Sequence, residues 1–294
     1  MKACRWISLV LAIVLIASAV IACEEEATPT ADYSSITGEL SQLIQGAVEE
    51  AGVEVQKQVL EPVATSLAVL AEDESDLGVV LMDIGGGTTD LAVFANGAVA
   101  HSGAIPVAGN QITGDIAKLL RISYEQAEQV KKQFGTAFAD MTNDDDAVVV
   151  EEIGTGEQVR VPRGLIADII QARLVEIFQL TIENLEQAGM YDTVTSGVVL
   201  TGGGSQLPGT LEMASEIMEN TPVRIGSARG VGRGANRVAS PIFATGVGLA
   251  LYAAEEGADA SPPSTPSYLE WIEKARSWWR NRVQPRISPY LPEL

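Results

Sequence analysis

The stretch LMDIGGGTTD, residues 81–90, decides how the rest of the chain is interpreted. An apolar run stops at Asp83, three glycines and two threonines follow, and Asp90 closes the motif. Glycines let backbone N–H groups approach a phosphate with no Cβ in the way, and successive N–H groups of this kind bind anions. The alternative is a tight hairpin that needs glycine only for positive φ. The motif lacks the Gly-Lys-Ser/Thr ending of a Walker A loop and the third glycine of a dinucleotide-binding loop, so it is neither.

The composition is that of an acidic globular chain. Its 294 residues are 46% hydrophobic, which is enough for a sizeable core. The net charge of −20 argues against nucleic acid as a partner, because phosphate backbones are bound by clustered Lys and Arg. Cys4 and Cys23 are the two cysteines and His101 is the single histidine, so we expect neither a disulfide framework nor a thiolate metal site in the body.

The N-terminal residues resemble a secretory signal. Lys2 and Arg5 precede an almost wholly apolar run, residues 7–21, and VIAC (20–23) resembles a bacterial lipobox with Cys23 as the lipidated residue. Residues 24–37 are polar and predict a surface tether. The alternative is an uncleaved anchor helix, although the apolar run is short against the ~20 residues that span a bilayer. Positive charge ahead of the run predicts that the following residues lie outside the cytoplasm.

The body alternates between helical and strand periodicity, which predicts an α/β fold. Predicted helices cover residues 36–51, 62–71, 112–120, 124–134, 166–187 and 242–254, with another starting at Pro208; predicted strands cover 79–82, 91–94, 99–105, 147–153, 157–162, 197–200 and 223–225. Asn96-Gly97 predicts a hairpin. Two strands end in glycine turns, so we expect a ligand at the carboxyl ends of the strands. Asp83, at a strand end, is placed to hold Mg²⁺ through water.

Six segments extend the argument beyond the glycine motif. They are LEPVATSLAVL (60–70), LMDIGGGTTDLAVF (81–94), IPVAGNQITGDIA (105–117), AEQVKKQFG (127–135), VVLTGGGSQLPG (198–209) and PIFATGVGLALY (241–252). In this order they resemble the actin, Hsp70 and sugar-kinase superfamily, and within it the FtsA family of bacterial cell-division proteins, from about residue 43 to 282. The resemblance implies an actin-like, ribonuclease H-like lobe with a mixed sheet and flanking helices, lacking most of the first lobe.

The same resemblance implies a site for ATP and Mg²⁺. Asp83 would serve the metal through water; the other implied nucleotide residues are Gly85, Gly86, Gly87, Thr88 and Thr89 on the phosphates, Gly202, Gly203 and Gly204 on the adenosine side, and Glu128 and Lys131 on ribose and adenine. For the last two, the alternative is an exposed i,i+3 ion pair. A first phosphate loop of the DxGxxx type is not found, so we expect weak ATP binding and at most a weak ATPase, with no catalytic residue assigned.

The resemblance also divides the chain. The expected units are a signal or anchor (1–23), a tether (24–37), a first-lobe remnant with the connecting helix (38–78), the second-lobe core (79–122 and 193–256), an inserted subdomain (123–192), a Pro-rich linker (257–266) and an amphipathic membrane helix (267–284). The inserted subdomain would hold the C-terminal peptide of FtsZ, and self-association is expected of the family.

The C-terminal residues predict membrane contact independently. Ser267 to Glu270 form a capping box, and an apolar face with Lys and Arg beside it follows. Its membrane residues would be Trp271, Ile272, Trp278 and Trp279. A tryptophan-bearing amphipathic helix with basic flanks lies in a membrane interface, and an anionic cytoplasmic leaflet adds attraction. The alternative is a helix docked in a protein groove.

Three hypotheses follow, and they differ in location. The first is an adaptor that binds ATP and tethers the FtsZ ring to the cytoplasmic face of the inner membrane during septum assembly. The second is an exported, surface-tethered lipoprotein that uses the actin-like lobe as a non-enzymatic scaffold. The third is an actin-like protein of type IV pilus assembly. The N-terminal signal favours export and the C-terminal helix favours the inner leaflet.

Overall fold

A computed structural model describes residues 33–51, 54–143, 145–219, 221–229 and 238–256. The predicted signal with Cys23, the linker 257–266 and the predicted membrane helix 267–284 lie outside the described residues. The predictions for those segments, including Trp271, Ile272, Trp278 and Trp279, therefore stay predictions.

Short runs of helices and strands follow one another along the described chain. The helices are α1 (Tyr33–Glu50), α2 (Glu61–Val69), α3 (Glu72–Leu77), α4 (Gly109–Leu120), α5 (Tyr124–Phe134), α6 (Arg163–Gln187), α7 (Thr210–Ile217) and α8 (Ala244–Glu256). The strands are β1 (Val79–Ile84), β2 (Thr89–Ala95), β3 (Ala98–Ile105), β4 (Ala147–Glu151), β5 (Gln158–Pro162), β6 (Val198–Thr201) and β7 (Val223–Ile225). The α/β class and the mixed sheet predicted from the sequence are confirmed.

The main sheet has the strand order β3-β2-β1-β6-β7. Strands β1, β2 and β3 are antiparallel neighbours, whereas β1, β6 and β7 are parallel. The hairpin between β2 and β3 turns at Asn96 and Gly97, whose φ values of 52° and 72° are those that a two-residue hairpin turn requires. Strands β4 and β5 form a separate two-stranded sheet in the region predicted as an inserted subdomain.

Strand β1 is the centre of the core. All six of its residues are buried, because helices cover both faces of the sheet. Val80, Met82 and Ile84 point into the larger cluster, which includes side chains of α4 and α6. Val79 and Leu81 point into the smaller cluster, which includes side chains of α2 and α8. The end of β1 is thereby fixed from both sides.

Helices α2 and α8 cross closely beside the sheet. A Cβ at Gly248 would lie 1.7 Å from the carbonyl oxygen of Ala64, so glycine permits this approach. The crossing brings Thr65 of α2 within 2.9 Å of Thr245 of α8, measured between the hydroxyl oxygens. The N-terminal ends of both helices therefore lie beside the end of β1.

Some boundaries differ from the sequence-based expectations. Pro208 does not start a helix: Gly209 caps α7 with φ +87°, and the Pro208 carbonyl accepts the N–H of Ala137 at 2.7 Å. Helix α3 was not predicted, because its acidic sequence shows no apolar periodicity; Glu74 stabilises its first turn by accepting the Ala71 N–H at 2.7 Å. Residues 33–37, placed in the tether by the sequence, belong to α1.

Candidate functional site

The two glycine turns meet at one edge of the sheet. Strands β1 and β6 run parallel, with Asp83 opposite Thr201, so the turns that follow them lie side by side. Gly202 adopts φ +80°, and a Cβ there would lie 2.2 Å from Oδ1 of Asp83. A Cβ at Gly204 would lie 2.3 Å from Cγ2 of Ile84. Glycine is therefore required at residues 202 and 204, where the second turn packs against the end of β1.

Two carboxylates face each other at the base of this edge. Asp83 and Asp90 are direct partners across the β1–β2 ladder, and each is 9% exposed. Burial and, after it, repulsion from Asp90 together raise the pKa of Asp83 to about 7, against a hydrogen bond from Thr245 that lowers it. Like charges opposite each other in a ladder are destabilising. A cation at this point would relieve that repulsion.

The loop between β1 and β2 is a strand-to-strand turn, as predicted. The N–H of Gly85 donates to the carbonyl of Thr88 at 3.0 Å, which closes the turn. The space around Gly87 is open, since a Cβ there would meet nothing within 4 Å. Thr88 donates its hydroxyl to Oδ2 of Asp90 at 2.9 Å. Thr89 is fully buried and donates to the carbonyl of Val107 at 2.8 Å, so its hydroxyl does not face the open side of the loop.

Helix α4 holds this loop by its N-terminus. The N–H groups of Gly109 and Asn110 donate to the carbonyls of Gly85 and Gly86, at 3.1 and 2.7 Å. First-turn N–H groups have no partner within their own helix, so the loop carbonyls satisfy them. The N-terminus of α4 thus holds the loop backbone at Gly85 and Gly86, and the side of the loop at Gly87 is left open.

Glu128 and Lys131 form an ion pair, but not an exposed one. Lys131 is 8% exposed, and its Nζ lies 2.7 Å from Oε2 of Glu128, 2.7 Å from the Thr113 hydroxyl and 2.9 Å from the Gly109 carbonyl. An ammonium group has three donors, so all of them are engaged. The exposed-pair alternative is therefore wrong for Lys131. Contact with ribose or adenine stays a prediction, and it requires Lys131 to exchange one of these partners.

The neighbours of Glu128 stabilise its ionised form. Burial raises its pKa, but hydrogen bonds from Lys131, Thr113 and Lys132 outweigh burial and lower the pKa to about 2. Because Gly109 accepts from Lys131 and donates to Gly85, one continuous network joins the α5 ion pair to the glycine loop. The structure thus connects the predicted ribose-side pair with the predicted phosphate loop, although through intervening residues.

Three residues beside Asp83 were not assigned from the sequence. The Thr245 hydroxyl lies 3.3 Å from Oδ2 of Asp83, 3.5 Å from Oε1 of Glu61 and 2.9 Å from the Thr65 hydroxyl. Glu61 and Thr65 are four apart in LEPVATS, a spacing that places them on one face of a helix. That spacing was the available signal, whereas nothing in the sequence locates α8 beside α2.

The residues present fit a nucleotide with a divalent cation. Mg²⁺ is commonly held by one or two carboxylates together with water and substrate phosphates, and Asp83 with Asp90 offers such a set. Within the described ranges there is no group of three or more His, Cys, Asp or Glu residues that could hold a metal ion, so a cation here would also need water and phosphate ligands. Gly87 leaves open space where its side chain would stand, and a Cβ at Gly203 would be in ordinary contact with Ile242, 3.7 Å away. The arrangement can therefore accept anionic groups between the two turns.

Comparison with known proteins places the chain in a family. The family model for "Cell division protein FtsA" matches residues 80–248, which contain both glycine turns and the network around them. The chain belongs to the FtsA family. It is 39% identical over 219 residues to FtsA of Pseudomonas aeruginosa and 41% identical over 206 residues to FtsA of Bacillus subtilis. The resemblance drawn from the six segments is confirmed.

The chain spans about half the length of these relatives. The alignments cover 74% and 70% of this chain but 52% and 45% of the two FtsA proteins. FtsA of Escherichia coli K12 is 34% identical over 82% of this chain and 60% of its own length. The activity and partners of a whole FtsA are therefore proposals for this chain.

Solved structures confirm the fold of this FtsA-family chain. MreB 5 of Spiroplasma citri bound to AMPPNP matches with a TM-score of 0.61 at 22% identity, over 80% of this chain and 67% of that one. The PilM–PilN type IV pilus biogenesis complex matches with a TM-score of 0.54 at 21% identity, over 73% of this chain and 58% of that one. At such identities the matches establish an actin-like fold and nothing finer. In the part of the chain that the structure covers, no helix has the length and apolarity to cross a membrane.

Proposed function

We propose that this FtsA-family chain is a cell-division protein that binds ATP with Mg²⁺ at the edge where the two glycine turns meet. The observation that carries the proposal is the contact of Gly202 with Asp83, which joins the end of β6 to the end of β1. Ligands of α/β sheets bind at the carboxyl ends of the strands, where these two turns lie. MreB 5, which has the same fold, is bound to AMPPNP in its solved structure.

Each group at the edge would have a distinct task. The loop from Gly85 to Thr88 would present backbone N–H groups to the phosphates, because no side chain stands at its open point, Gly87. Asp83 would hold the cation through water, and its raised pKa would fall once the cation replaces the repulsion from Asp90. The turn at Gly203 would face adenosine. Bound Mg²⁺ would neutralise phosphate charge.

We propose that hydrolysis by this chain is slight. In this proposal the phosphates are held by the loop from Gly85 to Thr88, and positioning a water for attack requires further groups around the reacting phosphate. The chain would then act as a nucleotide-dependent binding protein and at most as a weak ATPase.

Substitutions at Gly87 test the site with little risk to the fold. A Cβ at Gly87 meets open space, so Gly87→Asp and Gly87→Asn have similar steric consequences and differ by one charge. Equilibrium titration of the purified full chain with MgATP should show saturable binding in the parent, retained binding in Gly87→Asn and at least about a tenfold loss in Gly87→Asp through repulsion of the phosphates. Equal binding by the two variants would overturn this location for the phosphates.

We propose that the adaptor role extends to FtsZ and to the membrane. The inserted subdomain, residues 123–192, would hold the C-terminal peptide of FtsZ, and residues 267–284 would lie in the membrane interface. Cosedimentation with anionic liposomes should require residues 268–283, and binding of an FtsZ C-terminal peptide should survive their deletion. Liposome binding that persists at low salt after the deletion would exclude the membrane helix. Peptide binding that is absent from both chains would exclude the FtsZ contact.

The surface-tethered lipoprotein is the second candidate, because VIAC at residues 20–23 resembles a lipobox. Labelling cells with a radioactive fatty acid separates the candidates. Label that depends on Cys23, tested with Cys23→Ala, favours the lipoprotein, and an unlabelled chain at the cytoplasmic face favours the adaptor. The pilus alternative is supported by fold similarity to the PilM–PilN complex, whereas the relatives compared above are FtsA proteins.

A further inference from the structure

The main sheet ends in two edge strands, β3 and β7, which differ in length. Strand β3 has eight residues and β7 has three. An edge strand presents a row of N–H and C=O groups that have no neighbouring strand, and another chain can pair with them. Proteins usually prevent such pairing with charged side chains, with proline or with an element that covers the edge. The edges of this chain differ in that protection.

Among the strands that the structure describes, the edges other than β3 are protected. Arg224 lies at the middle of β7, and Glu74 of α3 accepts two hydrogen bonds from its guanidinium group, both at 2.6 Å. Strand β5 carries Arg160 and ends in a proline. The N–H and C=O of Glu151 on β4 both pair with the side-chain amide of Gln126, at 3.2 and 3.0 Å. Each of these edges therefore has a feature that opposes pairing with another strand.

Strand β3 has none of these features. Its sequence, AVAHSGAI (98–105), contains no charged residue and no proline. Residues 98–100 and Ser102 are exposed. Within the part of the chain that the structure describes, the backbone of β3 has hydrogen bonds with its sheet neighbour β2 and none with the backbone of a loop or helix. The outward N–H and C=O groups along this strand are therefore available to a partner.

The strand is held in its extended form from one side. Nε2 of His101 lies 3.0 Å from Oδ1 of Asn184 on α6. A Cβ at Gly103 would lie 2.9 Å from the same oxygen, so α6 packs directly on the strand at this point. Ile105 is buried in the larger core cluster. A partner strand therefore meets a conformation that is already ordered, which lowers the entropy cost of association.

A second copy of β3 is the partner that fits this edge. Peptides that add to a sheet edge obtain their specificity from pockets for alternate side chains. Ala98, Ala100 and Ser102, which are exposed on β3, are too small to form such pockets. A second β3 needs none, because it brings the same ordered edge and has no charge to desolvate. Two identical patches that meet about a two-fold axis form the commonest interface among soluble oligomers.

We propose that two copies of this chain pair through their β3 strands, antiparallel about a two-fold axis near Ser102, at the middle of the strand. The pairing joins two five-stranded sheets into one. It gives a surface and a symmetry to the self-association expected of the family, and it does not depend on the nucleotide site. The copies repel each other through their net charge of −20, so the pairing strengthens when salt screens that charge.

Two measurements on the purified full chain test the pairing and its location. Sedimentation equilibrium over a range of protein concentrations gives the dissociation constant of the dimer. Hydrogen exchange at the two ends of that range locates the contact: amides of β3 should gain protection as the dimer forms, and amides of β5 should not. No association at the highest soluble concentration, or a dimer without protection in β3, would overturn the proposal. A dissociation constant that rises with salt would do the same, since it would indicate an interface of ion pairs.

Charges placed near the axis test the symmetry. In Ser102→Asp and in Ser102→Lys the new charge meets its own copy, so each variant alone should have a dissociation constant at least about tenfold higher than the parent. An equimolar mixture of the two variants should associate more strongly than either component and approach the parent, because opposite charges then face each other.

Ser215→Asp and Ser215→Lys are the matched controls, because they make the same changes at an exposed serine of α7. Both controls should associate like the parent. Circular dichroism checks that all four variants are folded, as expected for substitutions of exposed side chains. Parent-like association of the Ser102 variants, equal losses in the Ser215 variants, or a mixture no stronger than its components would overturn the two-fold pairing.

Discussion

Replacing Asp83 by asparagine should stabilise the ligand-free chain. Asp83 is buried and directly opposite Asp90, so its ionised form is disfavoured in the folded state and its pKa rises from 3.8 to about 7. Asparagine has nearly the same shape, carries no charge and can donate its amide to an acceptor. The substitution therefore removes the cost of ionising this carboxyl while keeping the packing of Gly202 against it.

The magnitude and its pH dependence follow from the two pKa values. Between pH 3.8 and about 7 the folded chain binds a proton at Asp83 that the unfolded chain has released, so stability falls as pH rises through this window. Above about pH 7 this loss in the free energy of unfolding is complete and amounts to about 4 kcal/mol, at 1.36 kcal/mol for each unit by which the pKa is raised. Asp83→Asn should recover most of this lost stability at about pH 8 and much less of it near pH 4. For a body of this size, 1 kcal/mol shifts Tm by roughly 2–4 °C.

Thermal unfolding followed by circular dichroism across this pH range checks the prediction. Asp168→Asn is the matched control, because it removes one carboxylate from the exposed face of α6. We expect Tm of Asp83→Asn to exceed that of the parent by an amount that grows with pH, and Tm of the control to follow the parent. A Tm difference that is independent of pH, or a destabilised Asp83→Asn at about pH 8, would refute the reasoning.

Two further pairs of substitutions test the packing and the ion pair. Gly248→Ala should destabilise the fold by roughly 1–3 kcal/mol or more, because its Cβ would meet the Ala64 carbonyl. Gly246→Ala, whose Cβ meets nothing within 4 Å, should stabilise the fold by up to about 1 kcal/mol through helix propensity. Equal effects of the two substitutions in chemical unfolding would contradict the crossing geometry. Lys131→Met should cost roughly 1–3 kcal/mol, since it removes the buried partner of Glu128 and leaves the Gly109 carbonyl and the Thr113 hydroxyl without this donor. Lys132→Met, with 70% of its side chain exposed, should change stability by under about 1 kcal/mol. Similar losses from both lysines would show that the buried pair is not what stabilises this region.

The elements with clear periodicity were predictable from the sequence. Helix α5 and strand β7 were predicted at their observed bounds, and the Asn96-Gly97 turn fixed the β2–β3 hairpin. These features depend on local propensity and turn chemistry, which a sequence carries directly. Helix α3 was missed, since its acidic sequence shows no apolar periodicity and its Glu74 accepts hydrogen bonds from Arg224, a residue distant in sequence.

The site was only partly predictable for the same reason. The glycine turns and Asp83 stand next to strand ends, so their location followed from the strand predictions. Thr245 joins the site through the crossing of α2 with α8, which is a tertiary contact without a local signal. The i,i+3 spacing of Glu128 and Lys131 indicated a possible ion pair, but the burial of Lys131 depends on Gly109 and Thr113 of the neighbouring helix. Spacing within one helix gives an ion pair and cannot give the packing around it.

The central claim is that the contact between the two glycine turns forms a site for ATP with Mg²⁺. Its most direct test is calorimetric titration of the purified full chain with ATP, with and without Mg²⁺, beside Asp83→Asn. We predict saturable binding in the parent that Mg²⁺ strengthens, and binding in Asp83→Asn that is weaker and does not respond to Mg²⁺, in a variant that is nonetheless more stable. No binding in the parent, or the same Mg²⁺-dependent binding in both chains, would contradict the claim.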